Sequence, residues 1–158
     1  MILRLLHAGT AARGPLGAAA DDYRERLARH TRCEEVFVKP SKQKTPAAAL
    51  RDEGDRLRAA VRPRERLVAL TPAGEPWSSE HLATRLAAWM MGGEPAICFL
   101  LGSADGLDEP LIRDAAERWS FGPLTLPHDL ARVVLWEQLY RASSILRGEP
   151  YHRADQVR

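Results

Sequence analysis

Residues 96–101, "AICFLL", form an uninterrupted apolar run, and the glycine-bearing stretch "GSADG" follows directly at residues 102–106. A second near-continuous apolar run, "RLVAL", occupies residues 66–70. Apolar runs of this length are typical of parallel strands that helices cover on both faces. Helical periodicity alternates with strand patterns on either side of these two runs. The sequence therefore predicts an α/β fold with a mostly parallel sheet flanked by helices.

The same alternation extends along most of the chain. We predict strands near residues 2–7, 34–39, 66–70 and 96–101, and helices near residues 16–31, 46–61, 78–91 and 108–118. No internal repeat or low-complexity linker interrupts this order. A chain of 158 residues suits a single domain with a substantial core. We therefore expect one domain over residues 1–158.

The C-terminal part combines several different patterns. A strand-like "RWSFG" at residues 118–122 precedes Pro123 and the short strand-like "LTL" at residues 124–126. Pro127 then starts a predicted helix that runs to about Arg147, because proline is favoured in the first turn of a helix. Gly148 and Pro150 should end that helix. We expect residues 148–158 to form a functional tail, with "YHRADQVR" outside any helix.

Composition excludes several classes of protein. The 23 Lys plus Arg residues nearly balance the 21 Asp plus Glu residues, so a nucleic-acid site would have to be local. Cys33 and Cys98 lack metal-ligand spacing, which favours buried free thiols in a reducing compartment and no metal site. The chain shows neither a signal-peptide pattern nor a membrane span. We therefore expect a cytoplasmic protein.

Ligands of open parallel sheets bind beyond the carboxyl ends of the strands. Three stretches follow predicted strands there: Leu70 with "TPAGEPW", "GSADG" from Gly102, and "FGPLTL" from Phe121 to Leu126. Glycines in such turns let backbone amides approach a ligand closely, although any one of these turns could be an ordinary connection. The chain has no G-x-G-x-x-G, P-loop or G-x-S-x-G motif. These absences disfavour a dinucleotide dehydrogenase and a P-loop NTPase, and they leave a hydrolase possible but unsupported.

Three stretches together resemble the RlmH family of SPOUT methyltransferases. They are "GSADG", "LTLPHDLARVVLWEQLYRA" at residues 124–142 and "PYHR" at residues 150–153, and the likeness extends from "LLHAGT" through "VALTPAGEPW" to the tail. The resemblance implies an α/β fold with a C-terminal trefoil knot, a homodimer and S-adenosylmethionine as methyl donor. It further implies methylation of N3 of pseudouridine 1915 in 23S ribosomal RNA, within the ribosome or its large subunit.

The resemblance also implies where the cofactor binds, because the family holds it among the loops of the knot. Carried onto this sequence, the site comprises Leu70, Gly102, Phe121, Gly122, Pro123, Leu124, Thr125 and Leu126. One position departs from the family: Ser103 follows Gly102 where many relatives have a second glycine. That departure leaves open an alternative function, a non-catalytic RNA-binding or ribosome-associated module.

Methylation of N3 requires loss of the imide proton, so the site needs a base or a cation that stabilises the developing anion. The candidates in the matching stretches are His128, Arg132, Tyr151, His152 and Arg153. His128 could instead bond its own helical turn. His152 lies between an aromatic and a basic residue, a combination suited to stacking on a base and contacting phosphate, although a frayed terminus is the alternative.

Two further patterns concern surfaces. Lys39, Lys42 and Lys44 are the only lysines of the chain and cluster in one predicted loop, which suggests phosphate contacts with RNA or else a solvated connection. In the last helix, Glu137 and Arg141 have the i,i+4 spacing of an ordinary surface ion pair. Apolar residues spread around more than one stripe of this helix, as a dimer interface or additional core packing would require: Leu130, Val133, Val134, Leu135, Trp136, Leu139 and Tyr140.

Overall fold

The computed structural model describes residues 1–154 of the chain, with side chains through residue 152. Strands and helices alternate through most of it. The elements are β1 Ile2–Ala8, α1 Pro15–Ala28, β2 Arg32–Val38, α2 Pro46–Ala60, β3 Arg66–Pro76, α3 Ser79–Met91, β4 Ala96–Leu101, α4 Glu109–Asp114, β5 Glu117–Ser120, α5 His128–Leu146 and α6 Tyr151–Ala154.

The five strands form one parallel sheet in the order β2-β1-β4-β3-β5. All six residues of the "AICFLL" strand are buried, as expected for a central strand covered on both faces. The carboxyl ends of β4, β3 and β5 lie side by side at one edge of the sheet. This arrangement confirms the predicted α/β fold, whereas the trefoil knot implied by the resemblance remains a prediction.

Helices cover both faces of the sheet and enclose two apolar clusters. Helices α1, α3 and α5 pack on one face, where Leu27, Leu82 and Leu135 are fully buried. Helices α2 and α4 cover the opposite face through Leu57 and Leu111. The apolar positions of each helix thus point toward the sheet, and α5 lies between α1 and α3.

The boundaries of two elements near the site differ from the prediction. Strand β3 continues past Leu70 to Pro76 after an irregularity, and a Cβ on Gly74 would lie 2.7 Å from the backbone of Trp119 in β5. Only glycine permits this close approach between the strands. Helix α4 ends at Asp114, earlier than predicted, because Arg118 donates hydrogen bonds to the carbonyl oxygens of Ile112 and Arg113 and residues from Glu117 onward pair with β3.

Two predictions about the C-terminal part were wrong. The stretch "LTL" forms a loop rather than a strand, since it has no neighbouring strand to pair with among the residues described. The tail was expected outside any helix, yet Tyr151–Ala154 forms the short helix α6. Its Tyr151 ring packs 4.9 Å from the Tyr140 ring of α5, centroid to centroid. Tertiary packing of this kind overrides the weak local signal of so short a segment.

Candidate active site

A cavity of about 590 Å³ opens where β3 becomes irregular after Leu70, beside the carboxyl ends of β4 and β5 and the start of α5. A cavity of this volume at this edge suits a small organic ligand. Its lining includes all eight residues expected at the cofactor site: Leu70, Gly102, Phe121, Gly122, Pro123, Leu124, Thr125 and Leu126. The three strand ends singled out from the sequence therefore surround one cavity, and the role of these residues in cofactor binding stays a prediction.

The loop at residues 102–106, called the cofactor loop below, is tightly folded. A Cβ on Gly102 would lie 2.0 Å from the carbonyl oxygen of Gly106, far inside van der Waals contact. The Gly106 amide donates to the Ser103 carbonyl at 2.9 Å, and Gly106 has a positive φ of 88°. The Ser103 hydroxyl donates to Glu53 Oε2 at 2.7 Å. A serine is therefore accommodated at the position where the sequence departs from the family.

An aromatic group forms the opposite wall of the cavity. Trp119 is 2% exposed, stacks on Trp77 with centroids 5.2 Å apart, and meets the Phe121 ring edge-on at 4.8 Å. The Ser120 hydroxyl accepts the Gly122 amide at 3.1 Å and so fixes the turn that follows. Five further lining residues belong to the turns singled out from the sequence: Thr71, Pro72, Ser103, Ala104 and Gly106. Sequence reasoning missed the remaining five, most of which adjoin predicted ones: Leu101, Trp119, Ser120, Pro127 and Ala131.

His128 is the one candidate catalytic residue whose side chain is described as lining the cavity. It begins α5, and its Nε2 lies 3.2 Å from Asp129 Oδ1. Its ring packs 5.3 Å from the ring of His7, which is fully buried at the end of β1. Sequence reasoning missed His7. The available signal was a histidine within the apolar strand "ILRLLHA".

His7 has an unusual environment for an imidazole. Neither ring nitrogen has a hydrogen-bond partner among the described residues, and the ring also packs against Phe37 at 5.2 Å. The pKa of His7 is lowered from 6.5 to about 4, chiefly by burial and secondly by the neighbouring His128, against the opposing effect of the Glu35 and Asp129 carboxylates. His7 is therefore neutral near pH 7.

Arg132 joins three elements instead of facing the cavity. Its guanidinium donates from Nε to Glu35 Oε1 at 2.5 Å, and from Nη2 to Glu35 Oε2 and Asp21 Oδ1, both at 2.7 Å. The side chain is 3% exposed, and hydrogen bonding to Glu35 raises its pKa. These contacts tie α5 to β2 and α1. In this conformation the guanidinium is occupied by carboxylates of its own chain.

The tail residues lie away from the cavity of their own chain. The Tyr151 hydroxyl donates to Glu137 Oε1 at 3.0 Å, and the Arg141 guanidinium lies 4.7 Å from the centre of the Tyr151 ring. Residues 128 and 137 are separated by roughly 13 Å along a helix that rises 1.5 Å per residue. The structure therefore does not bring Tyr151 together with His128.

His152 and Arg153 are the remaining candidates in the tail. His152 Nε2 lies 3.0 Å from Glu80 Oε1 at the start of α3, and the Arg153 side chain lies outside the described residues. Glu137 and Arg141 form the predicted i,i+4 ion pair, with 2.6 Å between Oε1 and Nη2, but their side chains are only 16% and 14% exposed, so the pair does not lie at an open surface as predicted. Burial, with hydrogen bonds to Tyr23 and Glu137, raises the pKa of Tyr151. Its phenol is therefore protonated where it lies.

The segment at residues 39–44, called the lysine loop below, is anchored while its ammonium groups remain exposed. Arg56 Nη1 donates to the carbonyl oxygens of Lys39 and Pro40 at 2.7 and 3.0 Å. Within the described residues, Lys39, Lys42 and Lys44 form no ion pair. The loop thus presents three cations from a fixed backbone, as contacts with phosphate require.

Residues 1–154 contain two free cysteines, Cys33 and Cys98. Neither cysteine forms a disulfide there, and burial raises the pKa of each thiol to about 12. No cluster of three or more histidine, cysteine or carboxylate side chains suited to a metal occurs in this described part of the chain. No described helix is long and apolar enough to span a membrane.

Comparison with known proteins decides the family. The profile described as "Predicted SPOUT methyltransferase" matches residues 1–152. A protein named ribosomal RNA large subunit methyltransferase H from Chromohalobacter salexigens is 40% identical over 156 residues, covering 97% of this chain and 100% of that protein. This chain belongs to the RlmH family of SPOUT methyltransferases. Membership in the RlmH family confirms the resemblance, and with it the expected class of enzyme, a methyltransferase.

Further matches agree with this assignment. A protein of the same name from Anaeromyxobacter dehalogenans is 41% identical over 154 residues, covering 97% of this chain and all of that protein. A solved structure of a probable methylase family protein from Haemophilus influenzae superposes with a TM-score of 0.57 at 15% identity, covering 94% of this chain and 69% of that one. The structural match supports the fold alone, whereas the relatives of high identity carry the RlmH assignment.

Proposed function

We propose that this protein transfers the methyl group of S-adenosylmethionine to N3 of pseudouridine 1915 in 23S ribosomal RNA, within the large subunit or the ribosome. Such a substrate implies a cytoplasmic enzyme. RlmH family membership supports the reaction, and the names of the relatives support a large-subunit RNA substrate. The observation that carries the proposal is the cavity lined by residues 70, 102 and 121–126, the positions at which the resemblance implies the cofactor site.

The residues around the cavity fit S-adenosylmethionine. Gly102 removes the side chain that would block the backbone of the cofactor loop, and Trp119 with Phe121 offers an apolar wall for a heteroaromatic ring. Residues 121–126 line the cavity on the side between β5 and α5. Bound S-adenosylmethionine would supply a methyl group already activated by its sulfonium charge. The protein then has to align the acceptor nitrogen, exclude water and remove the imide proton from N3.

His128 is suited to proton handling at this cavity. It lies at the cavity wall, and a neutral imidazole can accept the imide proton of the acceptor base. Asp129 Oδ1, 3.2 Å from His128 Nε2, would stabilise the imidazolium that forms. Arg132 would contribute by holding the start of α5 through Glu35 and Asp21.

The tail is proposed to act on a cavity other than its own. Tyr151 and His152 contact Glu137 and Glu80, away from the start of α5. A homodimer supplies a second cavity, so the tail of one subunit, with Tyr151, His152 and Arg153, would position the target base at the cavity of its partner. Residues 1–158 would then form one methyltransferase unit in which residues 148–158 are the functional tail.

The dimer contact is proposed to include α5. Apolar side chains of this helix remain only half-buried in the single chain, namely Leu130, Val133, Val134 and Tyr140. Covering them with a second copy would remove this surface from water. Static light scattering should report twice the monomer mass. A monomer at micromolar concentration would contradict both the dimer and the proposed role of the tail.

Two measurements test the reaction. Calorimetric titration should detect binding of S-adenosylmethionine to the full chain, and ribosomes that lack the modification should acquire one methyl group per large subunit at N3 of the target base. Binding without transfer would favour the non-catalytic RNA-binding module. The bond between Ser103 and Glu53 favours the enzyme, because it satisfies the hydroxyl that replaces a second glycine.

A further inference from the structure

Glu53 of α2 is a buried carboxylate with partners in two separate loops. It is 7% exposed. Its Oε2 accepts the Ser103 hydroxyl of the cofactor loop at 2.7 Å, and its Oε1 accepts the Ser41 amide of the lysine loop at 3.0 Å. One side chain thus joins the wall of the cofactor cavity to the segment that carries all three lysines.

The same turn of α2 packs closely on both loops. A Cβ on Gly54 would lie 2.7 Å from the Cβ of Asp108, just beyond the cofactor loop. Asp52 Oδ2 accepts the Ser41 hydroxyl at 2.6 Å, and Arg56 donates to the carbonyl oxygens of the lysine loop. Residues 52–56 therefore form a common support, and within the described part of the chain Glu53 is the residue of this support that hydrogen-bonds to both loops.

Burial makes these two hydrogen bonds important. A carboxylate taken out of water needs its acceptor sites filled, and hydrogen bonds to an ionised group are stronger than those between neutral groups. Removing the carboxylate would leave the Ser41 amide and the Ser103 hydroxyl without this acceptor. Each loop would then occupy its binding conformation for a smaller fraction of time, which lowers apparent affinity by that fraction.

We propose that Glu53 is a positioning residue that holds the cofactor loop and the lysine loop in their binding conformations at the same time. The proposal rests on the proposed function, because it takes the cavity to bind S-adenosylmethionine and the lysines to bind ribosomal RNA. It deepens that function by assigning one side chain to both binding surfaces, although Glu53 contacts neither ligand itself.

The test uses the full chain and two separate titrations. Affinity for S-adenosylmethionine is measured by calorimetry without RNA, and affinity for isolated large ribosomal subunits is measured without cofactor. Glu53→Ala should weaken both by about tenfold, the effect of losing one hydrogen bond to a charged group at each loop. Ser103→Ala should weaken only cofactor binding, and the Lys42→Ala/Lys44→Ala double variant only binding to the subunits.

Glu53→Gln serves as the conservative variant. Its amide oxygen can accept the Ser41 amide while its NH₂ donates to the Ser103 hydroxyl, so it should restore both affinities to within about threefold of wild type. Leu57→Val, a core substitution on the same helix, controls for lost stability. It should leave both affinities unchanged well below its unfolding temperature, because a purely structural effect acts only through the unfolded fraction.

The outcomes separate this inference from the proposed function. If the wild-type chain binds neither ligand, the proposed function fails. If wild type binds both and Glu53→Ala changes neither affinity, or only one, the assignment of Glu53 to both loops is overturned. Should Glu53→Ala fail to fold, Glu53→Asp decides the matter. Its carboxylate is one methylene shorter and cannot span both partners, so unchanged affinities for both ligands would equally overturn the inference.

Discussion

The Tyr151 hydroxyl donates a hydrogen bond to Glu137 Oε1 at 3.0 Å, which places the C-terminal helix α6 on the middle of α5. The cavity lies at the start of α5, beside His128. The two groups of candidate catalytic residues therefore occupy different parts of one subunit. This separation makes the tail removable without direct damage to the cavity.

Truncation after Pro150 tests the tail. The shortened protein should fold, dimerise and bind S-adenosylmethionine, because Tyr151 and His152 contact Glu137 and Glu80, outside the cavity, and the apolar side chains of α5 itself remain in place. Methyl transfer to ribosomes should fall by at least about a hundredfold, the lower range for loss of a positioned acid–base group. Tyr151→Phe, which keeps the ring, is the matched control. Full activity of a folded truncation variant would exclude the tail from catalysis and leave His128 and Arg132 as the candidate catalytic residues.

The lysine loop should govern the salt dependence of RNA binding. Replacing Lys42 and Lys44 with alanine removes two exposed cations, and each lost phosphate contact reduces counterion release. The slope of log affinity for large subunits against log salt concentration should become less steep by about 1 to 2. Arg29→Ala, which removes one exposed cation at the end of α1, provides a control outside the lysine loop. An unaltered slope would indicate that the lysine loop is a solvated connection without phosphate contacts.

Gly102→Ala tests the geometry of the cofactor loop. The added methyl group would collide with the Gly106 carbonyl, 2.0 Å away, so the loop would have to shift into or away from the cavity. Affinity for S-adenosylmethionine should fall by at least about tenfold in calorimetry, because the loop backbone would leave its binding position. Gly92→Ala, at a helical φ of −70° at the end of α3, is the control. Unchanged affinity would remove this loop from the proposed site.

His7 should make the protein sensitive to acid. Its pKa is about 4 in the folded chain against 6.5 when exposed, so the unfolded chain binds the additional proton between these values. The free energy of unfolding should decrease as the pH falls from 6.5 to about 4, by on the order of 3 kcal/mol, and this contribution is constant above pH 6.5. Urea unfolding of His7→Phe at several pH values should show a smaller decrease. The His30→Ala variant, at an exposed histidine, should show the pH dependence of wild type. If His7→Phe also showed the pH dependence of wild type, His7 would not be the source of the acid sensitivity.

Sequence reasoning worked best where the signal is local. The apolar runs at residues 66–70 and 96–101 are buried parallel strands, since continuous apolarity follows from burial on both faces. The residues that directly follow these two runs line the cavity for a related reason, because the runs are parallel and end at the same edge of the sheet. The pair of Glu137 and Arg141 was also predictable, since helical geometry alone brings i,i+4 side chains together.

The wrong predictions depended on distant packing. Strand β3 extends to Pro76 because β5 pairs with it past the irregularity, and α6 forms where Tyr151 meets Tyr140. His7 looked like one more residue of a strand, and its contact with His128 spans most of the chain. Such contacts leave no periodic trace in the sequence.

The sequence by itself determined the α/β class, the RlmH family resemblance and the residues that follow each strand, because these depend on local pattern and on motifs. Only the tertiary structure decided which side chains pair with residues that are distant in the sequence. Arg132 pairs with Glu35 and Asp21, 97 and 111 positions away, and Glu53 joins Ser41 and Ser103, 12 and 50 positions away. Partners at such separations are chosen by how helices pack on the sheet, and burial then makes each hydrogen bond necessary.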